Sequence, residues 1–181
     1  MKVVILLANG FEECEALTPA DVLRRAGAEV FLTSISGDTA VTGAHGITVV
    51  ADTLISELDH DGIDALILPG GLKGTEALGE SYQVAELIRK TAEAGSYVAA
   101  ICAAPSVLGK MGYLDERNIA CYPGFEEAMP LANRTGEKVE VDDIFVTAEG
   151  MGVSLEFGLK LTELLYGVDT ADKIAEQIRK A

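Results

Sequence analysis

A cysteine stands where an apolar run gives way to small residues and a proline. Tyr97–Ile101 is predicted to be a buried strand, Cys102 follows it, and Ala103-Ala104-Pro105 opens a helical stretch. A sharp break from strand to helix raises the residue at the break above the sheet edge, where unpaired N–H groups of the helix face it. Because these donors and the helix dipole favour the thiolate, we predict that Cys102 is a reactive thiol with a lowered pKa.

An acidic segment at the start of a predicted helix supplies a second chemical group. It reads Asn9-Gly10-Phe11-Glu12-Glu13-Cys14-Glu15. Glu12 and Glu13 are typical of acids that complement a helix dipole, whereas Glu15 precedes two apolar residues and is expected to face inward. A buried carboxyl group is costly unless it is paired or protonated. Beside a cysteine, Glu15 can hold a proton, hydrogen-bond the thiolate and titrate together with it.

The third feature is a pair of glycines that follows the apolar strand core predicted at 64–68. Pro69-Gly70-Gly71 fits an ordinary tight turn, and it also fits an oxyanion hole in which the Gly71 N–H faces a developing negative oxygen. A phosphate loop is excluded because no Gly-Lys-Ser/Thr triplet follows, and the nicotinamide-binding fingerprint is absent as well.

The remaining cysteines and the histidines offer less chemistry. Cys14 and Cys121 are expected to be small buried hydrophobic residues. The two histidines are His45, in a loop, and His60, in a polar stretch. No histidine follows Cys102, so a conventional Cys–His pair is not evident. The scattered cysteines and histidines have no metal-ligand spacing, and we predict no metal site.

Length and composition limit the class of protein. A chain of 181 residues is expected to form a single domain, residues 1–181. Three cysteines and the lack of a signal-peptide pattern favour the cytoplasm. No apolar run reaches the ~18 residues of a membrane span. A net charge of −15 without a Lys/Arg cluster argues against a nucleic-acid partner.

Strand-like and helix-like segments alternate along the chain. This alternation predicts an α/β fold with a mainly parallel central sheet and helices on both faces. Ligands of such sheets bind beyond the carboxyl ends of the strands, so we expect the loops 8–15, 69–74 and 102–105 to converge. The predicted strands are 1–8, 29–36, 64–68, 97–101, 118–122, 138–142 and 144–148, with a hairpin or extended arm at 40–51, and the predicted helices are 13–26, 82–94, 152–166 and 169–180.

Five short motifs become specific in combination. They are Gly10-Phe11-Glu12-Glu13-Cys14-Glu15, Asp21-Val22-Leu23-Arg24-Arg25-Ala26-Gly27, Leu68-Pro69-Gly70-Gly71, Ala99-Ala100-Ile101-Cys102-Ala103-Ala104-Pro105 and Ser154-Leu155-Glu156-Phe157. With them, nearly the whole chain resembles the ThiJ/PfpI superfamily, and within it the branch of the Parkinsonism-associated protein deglycase and its bacterial relatives. The resemblance implies a flavodoxin-like three-layer sandwich, as in the core of class I glutamine amidotransferases.

The resemblance also implies roles for individual residues. Cys102 corresponds to the reactive cysteine at the strand–helix break, and Glu15 to its protonated glutamate partner. Gly71 and Ala103 correspond to the backbone donors that face the pocket, beside Gly70. Members of the family need no cofactor for this chemistry.

Members of the family are typically homodimers, and a homodimer is therefore expected here. The arm that carries His45 would then approach the pocket of the partner subunit. The resemblance makes His45 and Arg25 candidate contacts to an anion or a substrate.

One residue departs from the family pattern. Some members have a histidine just before a proline downstream of the cysteine, and here that position reads Cys121-Tyr122-Pro123. Tyr122 can hydrogen-bond a substrate, but with a reference pKa near ~10 a phenol is a poor base at neutral pH. This departure argues against protease or amidase activity.

Three functions remain open at this point. The first is a cofactor-independent enzyme of the glyoxalase or deglycase type, in which Cys102 attacks a small reactive carbonyl compound such as a 2-oxoaldehyde. The second is a redox sensor or stress chaperone that works through oxidation of Cys102. The third is a binding module that has kept the fold and lost the chemistry.

Overall fold

Apolar side chains alternate between two faces along the first strand of the chain. Val3, Ile5 and Leu7 belong to one buried cluster, and Val4 and Leu6 belong to another. A strand that is buried on both faces is typical of a sheet covered by helices on each side. The computed structural model, which describes residues 1–180, has this arrangement.

Eleven strands and six α-helices are present in the described part of the chain. The strands are β1 (Lys2–Leu7), β2 (Glu29–Ser34), β3 (Ala40–Thr42), β4 (Thr48–Val50), β5 (Thr53–Leu54), β6 (Ile63–Leu68), β7 (Tyr97–Ile101), β8 (Asn118–Ile119), β9 (Asn133–Arg134), β10 (Val139–Asp142) and β11 (Phe145–Ala148). The helices are α1 (Glu13–Arg25), α2 (Leu72–Glu80), α3 (Tyr82–Glu93), α4 (Pro105–Lys110), α5 (Ser154–Tyr166) and α6 (Val168–Gln177).

A seven-stranded sheet forms the centre of the fold, with the order β10-β11-β7-β6-β1-β2-β5. All neighbouring strands are parallel except β10 and β11, which form an antiparallel pair at one edge. The predicted hairpin arm is the antiparallel pair β3–β4, which lies outside this sheet. The mainly parallel sheet predicted from the alternating segments is therefore confirmed.

Helices cover both faces of the sheet, as expected for a flavodoxin-like sandwich. One buried cluster contains apolar residues of α1 and α5, and the other contains those of α2, α3 and α4. Helix α6 packs on α5. Among residues 1–180, no helix has both the length and the apolar character that crossing a bilayer requires.

Close packing of α5 on α1 fixes the helix that carries Glu15. A Cβ atom added to Gly158 would lie 3.0 Å from the Cα atom of Pro19, so a hydrogen at this position lets the two backbones approach. Because α1 is held against both β1 and α5, its first turn has a defined position above the sheet edge.

Three segments differ from the sequence prediction. The strand predicted at 118–122 stops at Ile119, because the next N–H donates to the side chain of Thr147 at 2.9 Å instead of to a strand. The loop predicted at 69–74 turns into α2 at Leu72, directly after Gly71 with φ +87°. The helix predicted at 152–166 begins with a 3₁₀ turn, Met151–Val153, before α5.

Candidate active site

Four neighbouring parallel strands end at the same edge of the sheet, and the loops that follow them meet there. The Glu12 N–H donates to the Gly70 carbonyl at 3.0 Å, and the Gly74 N–H donates to the Gly10 carbonyl at 3.3 Å. The Tyr122 N–H donates to the Cys102 carbonyl at 3.0 Å. The predicted convergence of the loops 8–15, 69–74 and 102–105 is therefore confirmed.

Cys102 occupies the break between β7 and α4 in a rare backbone conformation. Its φ of 65° lies in the left-handed region, which an ordinary side chain adopts only when the surroundings enforce it. The Cys102 N–H donates to the Ala148 carbonyl at 2.9 Å, so the end of β11 holds the break in place. The thiol is half-buried, and the N–H groups of Gly71 and Ala103 hydrogen-bond its sulfur.

Glu15 lies beside this thiol and is fully buried. Its Oε2 atom accepts a hydrogen bond from the Gly70 N–H at 2.8 Å. Its Oε1 atom is buried without a hydrogen-bond partner of nitrogen or oxygen among residues 1–180, and the carboxyl group faces the Cys102 sulfur. The expectation that Glu15 faces inward beside the cysteine is correct.

Burial controls the titration of this pair. Burial raises the pKa of Glu15 to about 7, against the opposing hydrogen bonds from Gly70 and Cys102. Burial and then the charge of Glu15 raise the pKa of Cys102 to about 12, and the N–H groups of Ala103 and Gly71 offset only part of this rise. The predicted lowering of the thiol pKa is therefore wrong, because burial and then the negative charge of Glu15 disfavour the thiolate more than the two N–H groups favour it.

Between these two pKa values the pair holds one proton and one negative charge. The charge can reside on the carboxylate, which accepts from Gly70, or on the thiolate, which accepts from Gly71 and Ala103. A single proton transfer between Glu15 and Cys102 interconverts the two forms without changing the net charge of the site. The thiolate is then accompanied by a protonated carboxyl group.

Glycine is required at both positions that separate the reacting groups. A Cβ atom on Gly70 would lie 2.6 Å from Oε2 of Glu15 and 2.7 Å from the Cβ atom of Cys102. A Cβ atom on Gly71 would collide with the carbonyl oxygen of Gly10, at a φ of +87°. The segment is a tight turn, and the role of the Gly71 N–H as an oxyanion hole stays a prediction.

A fourth loop, after β11, borders the thiol and was not identified from the sequence. A Cβ atom built on Gly150 would lie 3.4 Å from Cδ2 of Tyr122 and 3.9 Å from Sγ of Cys102. Tyr122 is exposed, and its ring and the thiol border the same space beside Gly150. The rule that ligands bind at the carboxyl ends of parallel strands also applies to β11, and it was the signal that could have identified Gly150.

His45 and Arg25 do not reach Cys102 within one chain. Arg25 lies in the last turn of α1 and pairs with Asp21 at 2.7 Å, roughly 15 Å along the helix from Glu15 by the helical rise. His45 Nδ1 lies 3.0 Å from Oε2 of Glu13, and its ring is exposed. The prediction that both residues approach the pocket of a partner subunit concerns an assembly, and it stays a prediction.

Glu13 connects the hairpin arm to the first turn of α1. Its side chain is buried, and it accepts the N–H groups of His45 at 2.8 Å and of Ile47 at 3.4 Å. Burial opposes ionisation of Glu13, but the hydrogen bond from the His45 side chain and then those from backbone N–H groups outweigh it and lower its pKa. Glu13 in turn raises the pKa of His45. Glu13 therefore holds the arm against α1, in addition to complementing the helix dipole.

Glu12, Glu13 and His45 bring possible metal-ligand atoms within 4.8 Å of one another. No metal-ligand spacing is visible along the chain here, because His45 and Glu13 lie 32 positions apart. Three of the four carboxylate oxygens already accept hydrogen bonds, including Oε2 of Glu12, which caps α1 through the Glu15 N–H at 2.9 Å. The group has the properties of a structural clamp between the arm and α1.

The other two cysteines have different surroundings. Cys121 is buried, as expected. Cys14 is exposed, so the prediction that it is a small buried residue is wrong. Position 14 lies on the outer side of the first turn of α1, whose neighbouring positions Glu13 and Glu15 point inward. Partial desolvation of the sulfur by α1 and then the charges of Glu12, Glu13 and Glu15 raise the pKa of the Cys14 thiol.

Comparisons with known proteins agree with this geometry. The model of the DJ-1/PfpI family matches residues 1–164. Protein dj-1beta of Drosophila melanogaster is 36% identical over 96% of this chain and 94% of its own length. Glutathione-independent glyoxalase DJR-1.2 of Caenorhabditis elegans is 29% identical over 97% of this chain and 94% of its length.

A plant relative is longer than this chain. Protein DJ-1 homolog B of Arabidopsis thaliana is 38% identical over 96% of the chain, which spans only 40% of that protein. Among solved structures, oxidized Toxoplasma gondii DJ-1 superposes with a TM-score of 0.94 at 36% identity and covers 99% of this chain and 98% of its own.

Proposed function

Because the chain belongs to the DJ-1/PfpI family, we propose that it converts small 2-oxoaldehydes such as methylglyoxal into 2-hydroxy acids without a cofactor. The observation that carries the proposal is the buried Glu15 carboxyl group against a thiol that accepts hydrogen bonds from Gly71 and Ala103. A nucleophile, a proton carrier and backbone donors are the groups that this isomerisation needs. The C. elegans relative bears the name of a glutathione-independent glyoxalase.

The first step forms a carbon–sulfur bond. In the form with one proton, the thiolate of Cys102 attacks the aldehyde carbon, and the electron pair of the C=O bond moves to oxygen. Glu15 gives its proton to that oxygen, which produces a hemithioacetal and leaves Glu15 ionised. The N–H groups of Gly71 and Ala103 stabilise negative charge that develops beside the sulfur.

The second step moves a proton between two carbons. Glu15 removes the proton of the carbon bonded to sulfur, and an enediolate forms. Glu15 then returns this proton to the neighbouring carbon, and the hydroxyl proton passes from the oxygen beside sulfur to the neighbouring oxygen. The hemithioacetal thereby becomes a thioester of the 2-hydroxy acid. Water attacks the thioester carbonyl, the C–S bond breaks, and the hydroxy acid leaves. The overall reaction adds one water and requires no external oxidant or reductant.

Lactate formation from methylglyoxal tests this function. The wild-type protein and Cys102→Ser are compared by chiral chromatography of the product, with Cys14→Ser as the matched cysteine control. We expect lactate from the wild type and the control, and none above background from Cys102→Ser. Equal activity of Cys102→Ser and wild type would overturn the proposal.

A second candidate function has its own support in the same site. A sulfinate on Cys102 would place its oxygens near the N–H groups of Gly71 and Ala103, and protonated Glu15 would donate to it. Hydrogen peroxide supplies the two oxygen atoms one at a time, and one water leaves at each transfer. Under this proposal the protein acts as a redox sensor or a chaperone.

Mass spectrometry after mild peroxide treatment separates the three cysteines. Cys102 is expected to gain two oxygens before Cys14 or Cys121 gains any, because the adjacent Glu15 carboxylate can take the proton of its thiol and because Cys121 is buried. Equal oxidation of all three cysteines would argue against a dedicated redox role.

A further inference from the structure

We propose that a cleft beside Cys102 binds the apolar substituent of the substrate, so that the protein prefers aryl 2-oxoaldehydes to methylglyoxal. This inference rests on the proposed function and names its substrate class. The cleft has a volume of about 390 Å³ and lies between the loop after β8 and the loop after β11. Its lining consists of Tyr122, Pro123, Glu149, Gly150, Met151, Gly152 and Val153.

Gly150 connects this cleft to the reacting sulfur. The site of its missing Cβ atom lies 3.9 Å from Sγ of Cys102 and 3.4 Å from the Tyr122 ring. The space opened by the absent side chain therefore lies between the nucleophile and the aromatic wall. When the aldehyde carbon of the substrate is bonded to Cys102, the substituent on the neighbouring ketone carbon can pass through this opening into the cleft.

The walls of the cleft suit an apolar ring. Tyr122 is 53% exposed and Met151 is 54% exposed, which is unusual for large apolar side chains that stand side by side in one cleft. A phenyl group that covers them removes apolar surface from water, and the flexible thioether of methionine adapts to its shape. The phenyl group of the substrate and the Tyr122 ring also attract each other edge to face when their centroids lie about 4.5–7 Å apart.

The charges of the lining disfavour an anionic substituent. Glu149 is the only charged residue in the lining, and its Oε1 atom lies 3.7 Å from a guanidinium nitrogen of Arg134. No lysine, arginine or histidine of residues 1–180 lines the cleft to receive a carboxylate or a phosphate. Neutral substituents therefore fit this cleft better than charged ones.

Steady-state kinetics with phenylglyoxal and methylglyoxal tests the inference. The quantity of interest is the ratio of kcat/KM for phenylglyoxal to kcat/KM for methylglyoxal, measured through mandelate and lactate formation. Gly150→Ala fills the opening with a methyl group at ordinary contact distances, and Met151→Ser removes one apolar wall. The matched control is Val168→Ser, an exposed apolar residue at the start of α6, at the far end of α5.

We expect the wild-type ratio to exceed one and to fall about tenfold in Gly150→Ala and severalfold in Met151→Ser, as is usual for a small change in an apolar subsite. Val168→Ser should keep the wild-type ratio. A ratio that Gly150→Ala and Met151→Ser both leave unchanged, with methylglyoxal still converted, would overturn the subsite alone. Turnover of both substrates that Cys102→Ser retains at the wild-type rate would instead overturn the proposed function.

Discussion

Oε2 of Glu15 accepts a hydrogen bond from the Gly70 N–H at 2.8 Å, across 55 positions of sequence. This contact joins the first turn of α1 to the loop after β6. The other carboxyl oxygen has no oxygen or nitrogen partner within residues 1–180, and the proton of Glu15 is therefore available to Cys102.

The reaction rate should depend on pH through the first proton lost by the pair. With both groups protonated there is no nucleophile, and the form with one proton exists between the pKa of about 7 for Glu15 and that of about 12 for Cys102. We expect kcat/KM for methylglyoxal to rise with pH up to about 7 and to stay level through pH 9. A rate that starts to rise only above pH 9 would contradict the shared proton.

Replacing Glu15 with glutamine should remove the proton carrier while leaving the thiol. General acid–base catalysis contributes about 10² to 10⁴ in rate, so Glu15→Gln should lose at least about 10²-fold in kcat. Iodoacetamide should still alkylate Cys102 in this variant, which mass spectrometry can follow. Wild-type turnover by Glu15→Gln would show that another group moves the proton.

The same substitution should change how stability depends on pH. Between about 4.5 and 7, Glu15 is protonated in the folded chain and ionised in the unfolded chain, so unfolding releases a proton and stability falls as pH rises. At 1.36 kcal/mol per pKa unit, the free energy of unfolding should fall by roughly 3 kcal/mol across this pH window. Glu15→Gln should abolish this fall. Urea unfolding at pH 4.5 and 7.5 measures it, with exposed Glu57→Gln as the control.

Adding one methyl group at Gly70 should disrupt the site. Its Cβ atom would overlap Oε2 of Glu15 and the Cβ atom of Cys102, so Gly70→Ala must displace one of them. We expect a loss of about 1–3 kcal/mol in the free energy of unfolding and a large loss of activity. Gly37→Ala is the matched control, because nothing lies within 4 Å of its added Cβ atom. Equal effects of both substitutions would contradict close packing at Gly70.

The contact between Glu13 and His45 should stabilise the arm in a limited pH range. Glu13 has a lowered pKa, so its contribution is present above 4.5 and is lost as pH falls through its folded value. His45 has a raised pKa, so its contribution is present below 6.5 and is lost as pH rises through its folded value. The pair is therefore strongest between about 4.5 and 6.5.

Thermal unfolding of His45→Ala tests this range. The Tm of the variant should lie below that of the wild type at pH 5.5, and the difference should shrink by pH 9. His60→Ala is the control, because its Nε2 atom hydrogen-bonds a neutral group, the Ile55 carbonyl, at 3.5 Å. A Tm difference for His45→Ala that is constant from pH 5.5 to 9 would contradict an ionic contribution.

Some features of the site follow from local sequence. The apolar run before Cys102, the glycines after β6 and the acids before α1 each determine a strand end or a helix start within a few residues. Because parallel strands end at one edge, their order along the chain was enough to predict that these loops meet. Gly150 was missed because the segment after β11 has no comparable local pattern.

Apolar periodicity and residues close in the chain are enough to predict the α/β class, the strand–helix break at Cys102 and the inward orientation of Glu15. The direction of the Cys102 pKa follows only from the folded chain, since it depends on burial and on the distance to a carboxyl group from another loop. The exposure of Cys14 and the opening at Gly150 also follow only from the fold, because they depend on how α1 and β11 pack against the rest of the protein.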